Sequence, residues 1–404
     1  MIRNTSVNRR RARVATVILV LFALAGCTAA VDTPSPGRPA PSQPTSTQRA
    51  TPVPTESPAV VAAKKKLSTM TRTEKVASLL MLHLPGTDAT ALRSFVDTHR
   101  PGGLIFMRDN IAGTAEETAA LAGAVSADPE FPLLIGIDQE GGDVRRIWSD
   151  QWPSSLTLKD RPAVEAEHAF GLRSDLLAQS GISVNFGIVA DVTDDPGSFI
   201  YRRALGSTPE SAAERVAAAV AGERGAVLST LKHFPGHGAA PGDSHTTIPR
   251  TDKPFQEWKA TDAVPFERGI AAGAPIVMFG HLDYSAVDPV PASLSPVWHS
   301  ILRDDLGFDG ITITDDMLML RNTGLPEYQN VAENAIRALA AGTTMLLFVL
   351  GSSPAVDGVD PAVLLADIED AVDTGRISQQ HIDEAALKLL VARFETGVNA
   401  DPLR

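Results

Sequence analysis

The chain has 404 residues, of which 44% are hydrophobic and 21% are charged, and its formal net charge is −12. This length allows one large domain or two small ones, and the acidic balance argues against nucleic acid or a polybasic membrane-binding surface. The single cysteine, Cys27, excludes an intrachain disulfide framework and a cysteine-based metal site.

The first 26 residues predict a targeting segment that is not part of the fold. Five arginines precede the apolar run VATVILVLFALAG, which is too short to span a bilayer comfortably. The segment that follows, Leu24-Ala25-Gly26-Cys27, resembles a bacterial lipobox, in which the cysteine is lipidated and becomes the mature N-terminus. We therefore expect a signal peptide over 1–26 and a lipid anchor at Cys27, on the outer face of the bacterial cell membrane. The alternative is an ordinary secreted protein with an incidental cysteine.

A Pro/Ser/Thr-rich segment follows the cysteine, with eight prolines between residues 31 and 60. Such a composition cannot bury a core, so we predict a disordered tether over 27–63 and a catalytic domain over 64–404. The tether either lets the domain reach a polymeric wall or is a spacer without a length requirement.

Residues 64–350 alternate short aliphatic runs with amphipathic segments. Apolar strands separated by helices indicate a parallel sheet covered on both faces, and eight of them fit a single (β/α)8 barrel of the TIM type. An open doubly wound sheet is the alternative, although no G-x-G-x-x-G follows the first strand. The predicted strands are 79–84, 104–107, 133–138, 183–190, 227–233, 275–281, 311–315 and 345–350.

Polar residues stand at or just beyond the C-terminal ends of five predicted strands. In barrel enzymes that face carries the active site, so agreement among five strands favours function over isolated structural polar groups. The residues are Asp138, Asp191, Lys232, His233, His281 and Asp315.

The stretch TLKHFPGHGAAPGDSH, residues 230–245, concentrates the chemistry. Asp243 stands two residues before His245, and an aspartate that holds one ring nitrogen suits a general acid/base. A metal site is the competing interpretation, but the spacing matches neither H-E-x-x-H nor a Cys/His knuckle, and no thiol lies nearby. We expect neither a metal nor another cofactor.

The motif K-H-F-P-G-H-G followed by D-S-H resembles the signature of family 3 glycoside hydrolases of the β-N-acetylglucosaminidase (NagZ-like) type. The resemblance extends over most of residues 67–350. Further segments similar to the family, in its order, are PGGLIFMRDNI, GIDQEGG, PFERGIAAGAPIVMFGH, PASLSPVWHSILRDDLGFDGITITDDM and AIRALAAG. The C-terminal stretch 361–397 predicts two helices, too short for the second domain of many family 3 β-glucosidases.

The resemblance implies the roles of the catalytic residues. By the match of T-D-D-M, Asp315 is the nucleophile that forms a covalent glycosyl-enzyme, and Asp316 caps the following helix. By the match of D-S-H, His245 is the acid/base and Asp243 orients it.

The resemblance also implies the sugar-binding residues. Asp138 accepts hydrogen bonds from sugar hydroxyls, and Lys232 and His233 donate to them. Arg203 matches the arginine of the family's R-S-F-G, with Arg202 as the less favoured register. Whether His237 contacts sugar or shapes its loop is left open.

The chain departs from the family pattern at three places. Asp143 replaces the arginine of G-G-R-V, Ala239 and Ala240 replace D-T after G-H-G, and 204–205 differ within R-S-F-G. None of these positions is the nucleophile or the acid/base.

These observations predict a monomeric exo-β-N-acetylglucosaminidase that retains configuration and acts on GlcNAc-containing wall fragments in peptidoglycan turnover. Its partners are the carbohydrate substrate and, through the lipid anchor alone, the membrane, without nucleic acid. Three alternatives stay open: a β-N-acetylglucosaminide phosphorylase, a β-glucosidase or xylosidase, and a non-catalytic glycan-binding lipoprotein.

Overall fold

The computed structural model describes residues 56–399, so the signal peptide, Cys27 and most of the proposed tether lie outside the described residues. Eight parallel strands form a closed barrel, in the order β1, β2, β3, β4, β5, β7, β9, β10, and the pairing of Leu80 with Leu346 closes it. The (β/α)8 prediction is confirmed and the open sheet is excluded. The barrel strands are β1 (Leu80–Leu82), β2 (Gly103–Ile105), β3 (Leu134–Ile137), β4 (Val184–Val189), β5 (Leu228–Phe234), β7 (Ile276–Phe279), β9 (Ile311–Asp316) and β10 (Met345–Phe348); β6 (Arg250–Thr251) and β8 (Asp283–Tyr284) pair separately.

Helices surround the barrel and follow the predicted alternation. They are α1 (Pro58–Leu67), α2 (Arg72–Ala77), α3 (Ala89–His99), α4 (Ala115–Val125), α5 (Ser155–Leu158), α6 (Ala163–Gln179), α7 (Pro209–Glu223), α8 (Phe255–Ala260), α9 (Ala263–Ala271), α10 (Pro296–Ser300), α11 (Leu318–Asn322), α12 (Val331–Ala341), α13 (Pro354–Asp357), α14 (Pro361–Asp373) and α15 (Gln379–Asn399). Local sequence sets several of their starts. Thr114 and Glu117, for example, exchange side-chain and backbone hydrogen bonds in a capping box at α4.

The strands read as continuous apolar runs because both their faces are covered. All six residues of β4 are buried, and Phe186 fills space inside the barrel. Gly136 on β3 leaves room for that ring, since a Cβ there would lie 2.7 Å from a carbon of Phe186. Tight packing of this kind holds the strand ends in place, and with them the polar side chains that follow.

The N-terminal boundary of the folded domain differs from the prediction. Helix α1 begins at Pro58, inside the segment 27–63 assigned to the tether, and the hydroxyl of Ser57 accepts a hydrogen bond from the amide of Val60. Ala63 of this helix is buried and packs near Leu390 of α15. Composition concealed the helix, because a proline is well tolerated in the first turn.

The two predicted C-terminal helices are present as α14 and α15. Arg393 of α15 donates hydrogen bonds to the carbonyls of Phe131 and Pro132, which precede β3. Within residues 56–399, none of the helices combines the length and the apolar character needed to cross a bilayer.

Candidate active site

Five neighbouring strands deliver polar side chains to one face of the barrel, as the sequence predicted. Because the strands are parallel, their C-terminal ends all point the same way and their side chains converge there. Asp138 follows β3, Asp191 follows β4, Lys232 and His233 lie in β5, His281 follows β7, and Asp315 lies in β9.

A network of charges occupies the centre of this face. The Nζ of Lys232 lies 2.9 Å from Oδ1 of Asp138 and 2.7 Å from Oε1 of Glu140. Arg146 donates to the other oxygen of Asp138 at 2.8 Å. Arg203 makes a two-pronged contact with Glu140, at 2.9 Å and 2.7 Å. Two carboxylates are thus held by three cations, which matches the charge-assisted pairing expected of buried ionised groups.

The network keeps its carboxylates ionised despite burial. Burial alone would raise the pKa of Asp138, but the charges of Lys232 and Arg146 outweigh it and lower that pKa. In the same way Glu140 is desolvated, yet Arg203 and Lys232 lower its pKa to about 2. A lysine ammonium has three donors and a carboxylate has about four acceptor sites, so Lys232 and Asp138 retain capacity for the hydroxyls of a sugar.

Asp191 organises the histidines of the K-H-F-P-G-H-G segment. It accepts hydrogen bonds from Nδ1 of His233 at 2.8 Å and from the backbone amide of His237 at 2.6 Å. Burial, with the charges of Arg203 and Lys232, places the pKa of His233 well below its ordinary value, so the ring is neutral. Its Nε2 then accepts from Arg203 at 3.3 Å. Both ring nitrogens of His233 thus have partners within the protein, and its donation to sugar stays a prediction.

Two glycines in this segment are required by the path of the chain. Gly236 has φ of 132°, a conformation that L side chains rarely adopt. At Gly238 a Cβ would overlap the carbonyl oxygen of Val192 in the loop after β4. His237 between them is buried with both ring nitrogens unpaired among the described residues, so the structure places it under the loop.

Asp315 and Asp316 diverge at the end of β9. Burial alone would raise the pKa of Asp315, but opposing interactions, which include a hydrogen bond from the amide of Asp316 at 2.8 Å and the charge of Lys232, outweigh it and lower that pKa, so the carboxyl is ionised. Asp316 instead accepts from the amides of Leu318, at 3.1 Å, and Val349, at 3.0 Å. Its side chain thus accepts a hydrogen bond from the first amide of α11, as expected of a residue that caps the following helix.

The surroundings of Asp316 fix the backbone beside the proposed nucleophile. His281 donates from Nε2 to the carbonyl of Asp316 at 3.0 Å, and Ser293 pairs with its Nδ1 at 2.7 Å. Burial raises the pKa of Asp316 to about 7, against the hydrogen bonds from the amides of Val349 and Leu318, which lower it.

Asp243 and His245 form the predicted pair on the loop after β5. The Nδ1 of His245 lies 2.7 Å from Oδ1 of Asp243, and the backbone amide of His245 donates to the same oxygen at 3.0 Å. Both side chains are open to solvent, with 61% of His245 and 43% of Asp243 exposed. The ring of Phe199, from the loop after β4, meets His245 edge to face at 5.7 Å.

The structure separates Arg203 from its neighbour. Arg203 enters the charge network, whereas Arg202 is exposed and pairs with Asp143 at 2.6 Å. Arg203, the arginine that the sequence comparison favoured, is therefore the one that lies in the charge network. Asp143, which stands where the family has an arginine, lies outside that network.

Sequence reasoning missed three residues of this face: Glu140, Arg146 and Phe199. Glu140 lies within the quoted G-I-D-Q-E-G-G motif, two residues after Asp138, so that spacing was an available signal. Arg146 and Phe199 lie in loops, and their approach to the site depends on loop paths that periodicity does not specify.

No three His, Cys, Asp or Glu side chains in the part of the chain that the structure describes are grouped as metal ligands. We expect exhaustive chelation to leave hydrolytic activity unchanged, because side chains alone supply the proposed proton transfers. Activity assays before and after chelation check this. Activity that is lost on chelation and restored by zinc would revive a histidine metal site.

Comparisons with known proteins agree with this geometry. The model of the family "Glycosyl hydrolase family 3 N terminal domain" matches residues 71–392. A β-hexosaminidase of Pseudomonas aeruginosa is 35% identical over 273 residues, which cover 66% of this chain and 80% of that protein. A β-hexosaminidase of Stenotrophomonas maltophilia is 35% identical over 254 residues, covering 60% of this chain and 75% of its own.

Two solved structures are similar over most of the described residues. A family 3 β-N-acetylglucosaminidase from Paenibacillus sp. is 31% identical with a TM-score of 0.75, covering 83% of this chain, while this chain spans 64% of that one. LpqI of M tuberculosis is 28% identical with a TM-score of 0.71, covering 81% of this chain and 95% of its own.

Proposed function

Because the chain belongs to glycosyl hydrolase family 3 and is a β-N-acetylhexosaminidase, we propose that it is an exo-acting, retaining enzyme that removes terminal GlcNAc from peptidoglycan-derived fragments. The observation that carries the proposal is the placement of Asp315, at the end of β9, on the barrel face that carries the Lys232 network, with the Asp243–His245 pair on the loop after β5. A nucleophile, sugar-binding groups and a proton carrier are thus present together.

The first step is glycosylation of the enzyme. A carboxylate oxygen of Asp315 forms a bond to the anomeric carbon while the bond from that carbon to the leaving oxygen breaks. His245, as imidazolium, gives its proton to the leaving oxygen, which keeps the bonding electron pair. Asp243 holds Nδ1 of the ring at 2.7 Å, so Nε2 is the nitrogen left to transfer the proton.

The second step returns the enzyme to its starting state. The neutral His245 takes a proton from water, and the oxygen of that water attacks the anomeric carbon as the ester to Asp315 breaks. Two displacements at one carbon retain the β configuration. His245 recovers the proton it gave away, so protons balance over the cycle.

The charge network explains how the sugar is held. Asp138 can accept from hydroxyls, while Lys232 and Arg203 can donate to them through N–H groups that the network leaves available. Since Lys232 and Glu140 are buried, hydroxyls that reach them lose water and gain charge-assisted hydrogen bonds. A monosaccharide end fits such a set of convergent groups, which supports exo action.

The substrate class rests on the relatives and on the N-terminal segment. The similar solved structures include a β-N-acetylglucosaminidase, and the lipobox-like Leu24–Cys27 would place the domain outside the membrane, where wall fragments occur. A panel of p-nitrophenyl glycosides, with and without phosphate and with product analysis, tests the proposal. Release of GlcNAc from the β-GlcNAc substrate alone supports it. GlcNAc-1-phosphate formed only with phosphate would indicate a phosphorylase, and preference for glucose or xylose would overturn the sugar assignment.

Lipid anchoring has its own test. We expect Cys27→Ala to abolish incorporation of a fatty-acid analogue in the producing bacterium, because the thiol that would carry the lipid is lost. The variant should retain its specific activity on nitrophenyl substrate, because the folded domain begins at Pro58. Label uptake equal to that of the parent would contradict the lipobox.

A further inference from the structure

The loop that carries the proposed acid/base is held mainly by its own hydrogen bonds. Asp243 accepts from the amide of His245 through its side chain and from the amides of Thr246 and Thr247, at 3.1 Å and 3.0 Å, through its carbonyl. Residues 243–247 therefore form a self-contained turn. These bonds set the shape of the turn but do not connect it to the barrel, so they cannot by themselves aim His245 at the leaving oxygen.

Phe199 supplies a contact between this turn and the rest of the active-site face. Its ring lies 5.7 Å from the ring of His245 at an interplanar angle of 73°, and 5.6 Å from the ring of His237. The guanidinium of Arg203 lies 5.6 Å from the same ring. One phenyl group thus touches the proposed acid/base, the buried histidine of the loop and the arginine of the sugar-binding network.

The backbone that carries Phe199 is well fixed. Asp195 accepts from the amides of Gly197, at 2.8 Å, and Ser198, at 3.0 Å, and Ile200 is fully buried. Phe199 is 38% exposed, so its ring has a free side as well as the contacts with His245, His237 and Arg203. A fixed backbone with an exposed ring suits a residue against which a more exposed loop docks.

We propose that Phe199 is a positioning residue that docks the Asp243–His245 turn and aims the His245 ring at the leaving oxygen. The inference rests on the proposed function, in which His245 is the acid/base. A T-shaped aromatic pair contributes enough to bias a loop between docked and undocked positions by about three- to tenfold. Only the docked population can transfer the proton, so the rate falls with the docked fraction, and by the full factor when the undocked state is the more populated.

The test compares Phe199→Ala, Phe199→Leu and Phe199→Tyr on two substrates that differ in leaving group. Phe199→Ala should lower kcat/KM on a β-linked GlcNAc disaccharide about three- to tenfold and spare kcat/KM on p-nitrophenyl β-GlcNAc, because kcat/KM reports the glycosylation step and a nitrophenolate needs little protonation to leave. Phe199→Tyr should retain the activity of the parent on the disaccharide because it keeps the aromatic contact. Phe199→Leu should lose activity as Phe199→Ala does, because it lacks an aromatic ring. Leu325→Ala is the matched control, since Leu325 is 39% exposed and is not part of this contact. Equal loss of kcat/KM on both substrates, or an unchanged kcat/KM of Phe199→Ala on the disaccharide, overturns the inference.

A second measurement does not depend on turnover. In the full chain with labelled histidine, NMR resonances of the His245 ring, assigned by their loss in His245→Gln, should carry a ring-current shift that disappears in Phe199→Ala and returns in Phe199→Tyr. An unchanged His245 signal together with a raised KM for large aglycones would mean that Phe199 contacts substrate, which refutes the positioning role. If the wild type hydrolyses no β-GlcNAc substrate, the proposed function fails. A ring-current shift present in the same sample would then show that the docking contact exists without that catalysis.

Discussion

Asp315→Ala is expected to abolish turnover of every β-GlcNAc substrate, with either an activated or a poor leaving group. The loss should be about 10⁴-fold or more in kcat, as for other nucleophiles whose removal leaves only binding and the remaining electrostatics. The reason is that the first displacement needs a carboxylate at the anomeric carbon, and the pKa of Asp315 is lowered so that it is ionised. Steady-state rates on p-nitrophenyl β-GlcNAc and on a GlcNAc disaccharide measure the effect.

A small nucleophile distinguishes removal of the nucleophile from damage to the fold. In Asp315→Ala, azide can occupy the space of the carboxylate and attack an activated β-glycoside once, which gives the α-glycosyl azide. Asp309→Ala is the matched control, because Asp309 is exposed and lies just before β9, at the other end of the same strand. Residual activity of Asp315→Ala within about tenfold of the parent would send the search for the nucleophile to another carboxylate.

The barrel was predictable because its strands are recognisable in the sequence as short, continuous apolar runs. A strand covered on both faces must be apolar at every position, and runs such as MLLF in β10 or IVMF in β7 are short, continuous and bounded by turns. The ends of such runs then locate the polar residues of the C-terminal face. Asp138, Asp315 and Lys232 were found in this way, and the structure brings them to one side of the barrel.

The pairing within the site was less predictable, because it depends on loop paths. Glu140 takes both Arg203 and Lys232 as partners, and nothing in its sequence neighbourhood specifies either, since they are 63 and 92 residues away in the chain. The lowered pKa of His233 is likewise a tertiary effect, produced first by burial. Sequence does not show that Nδ1 of this ring lies 2.8 Å from a carboxylate oxygen of Asp191, which comes from the loop after a different strand.

The choice between Arg202 and Arg203 and the N-terminal boundary also depend on information that local sequence does not carry. Arg202 and Arg203 are chemically identical, and one residue of offset decides which enters the network and which pairs with Asp143 at the surface. The segment before residue 64 was assigned to the tether by composition, yet Pro58 starts a helix whose Ala63 is buried. Average composition over a window of residues cannot separate a disordered tether from a helix when the helix begins within a proline-rich stretch.

His245→Ala is expected to act selectively, according to the leaving group of the substrate. Hydrolysis of a GlcNAc disaccharide should fall by about 10²- to 10⁴-fold, the usual contribution of a general acid, because its leaving oxygen needs a proton as the bond breaks. A nitrophenolate leaves without much help, so glycosylation by nitrophenyl β-GlcNAc should be relatively spared. Burst kinetics on the nitrophenyl substrate should reveal a glycosyl-enzyme that accumulates, because deglycosylation also loses its base.

Azide tests the second role of the same histidine. It needs no deprotonation, so it should raise the turnover of His245→Ala on nitrophenyl β-GlcNAc and yield the β-glycosyl azide, the opposite anomer to that expected from Asp315→Ala. Asp243→Ala should show a weaker form of the pattern, because the ring remains but loses the carboxylate that lies 2.7 Å from its Nδ1. His168→Ala, an exposed histidine on α6, is the control.

The outcome for His245 decides between two assignments that the structure makes possible. Asp316 lies next to the nucleophile and burial raises its pKa to about 7, the usual profile of a carboxylic general acid. However, Asp316 accepts from the amides of Leu318 and Val349, so its role is to hold the end of β9 and the start of α11. If His245→Ala loses activity equally on all substrates and azide does not rescue it, the proton donor lies elsewhere. Asp316 would then be tested next, through the leaving-group dependence of Asp316→Asn.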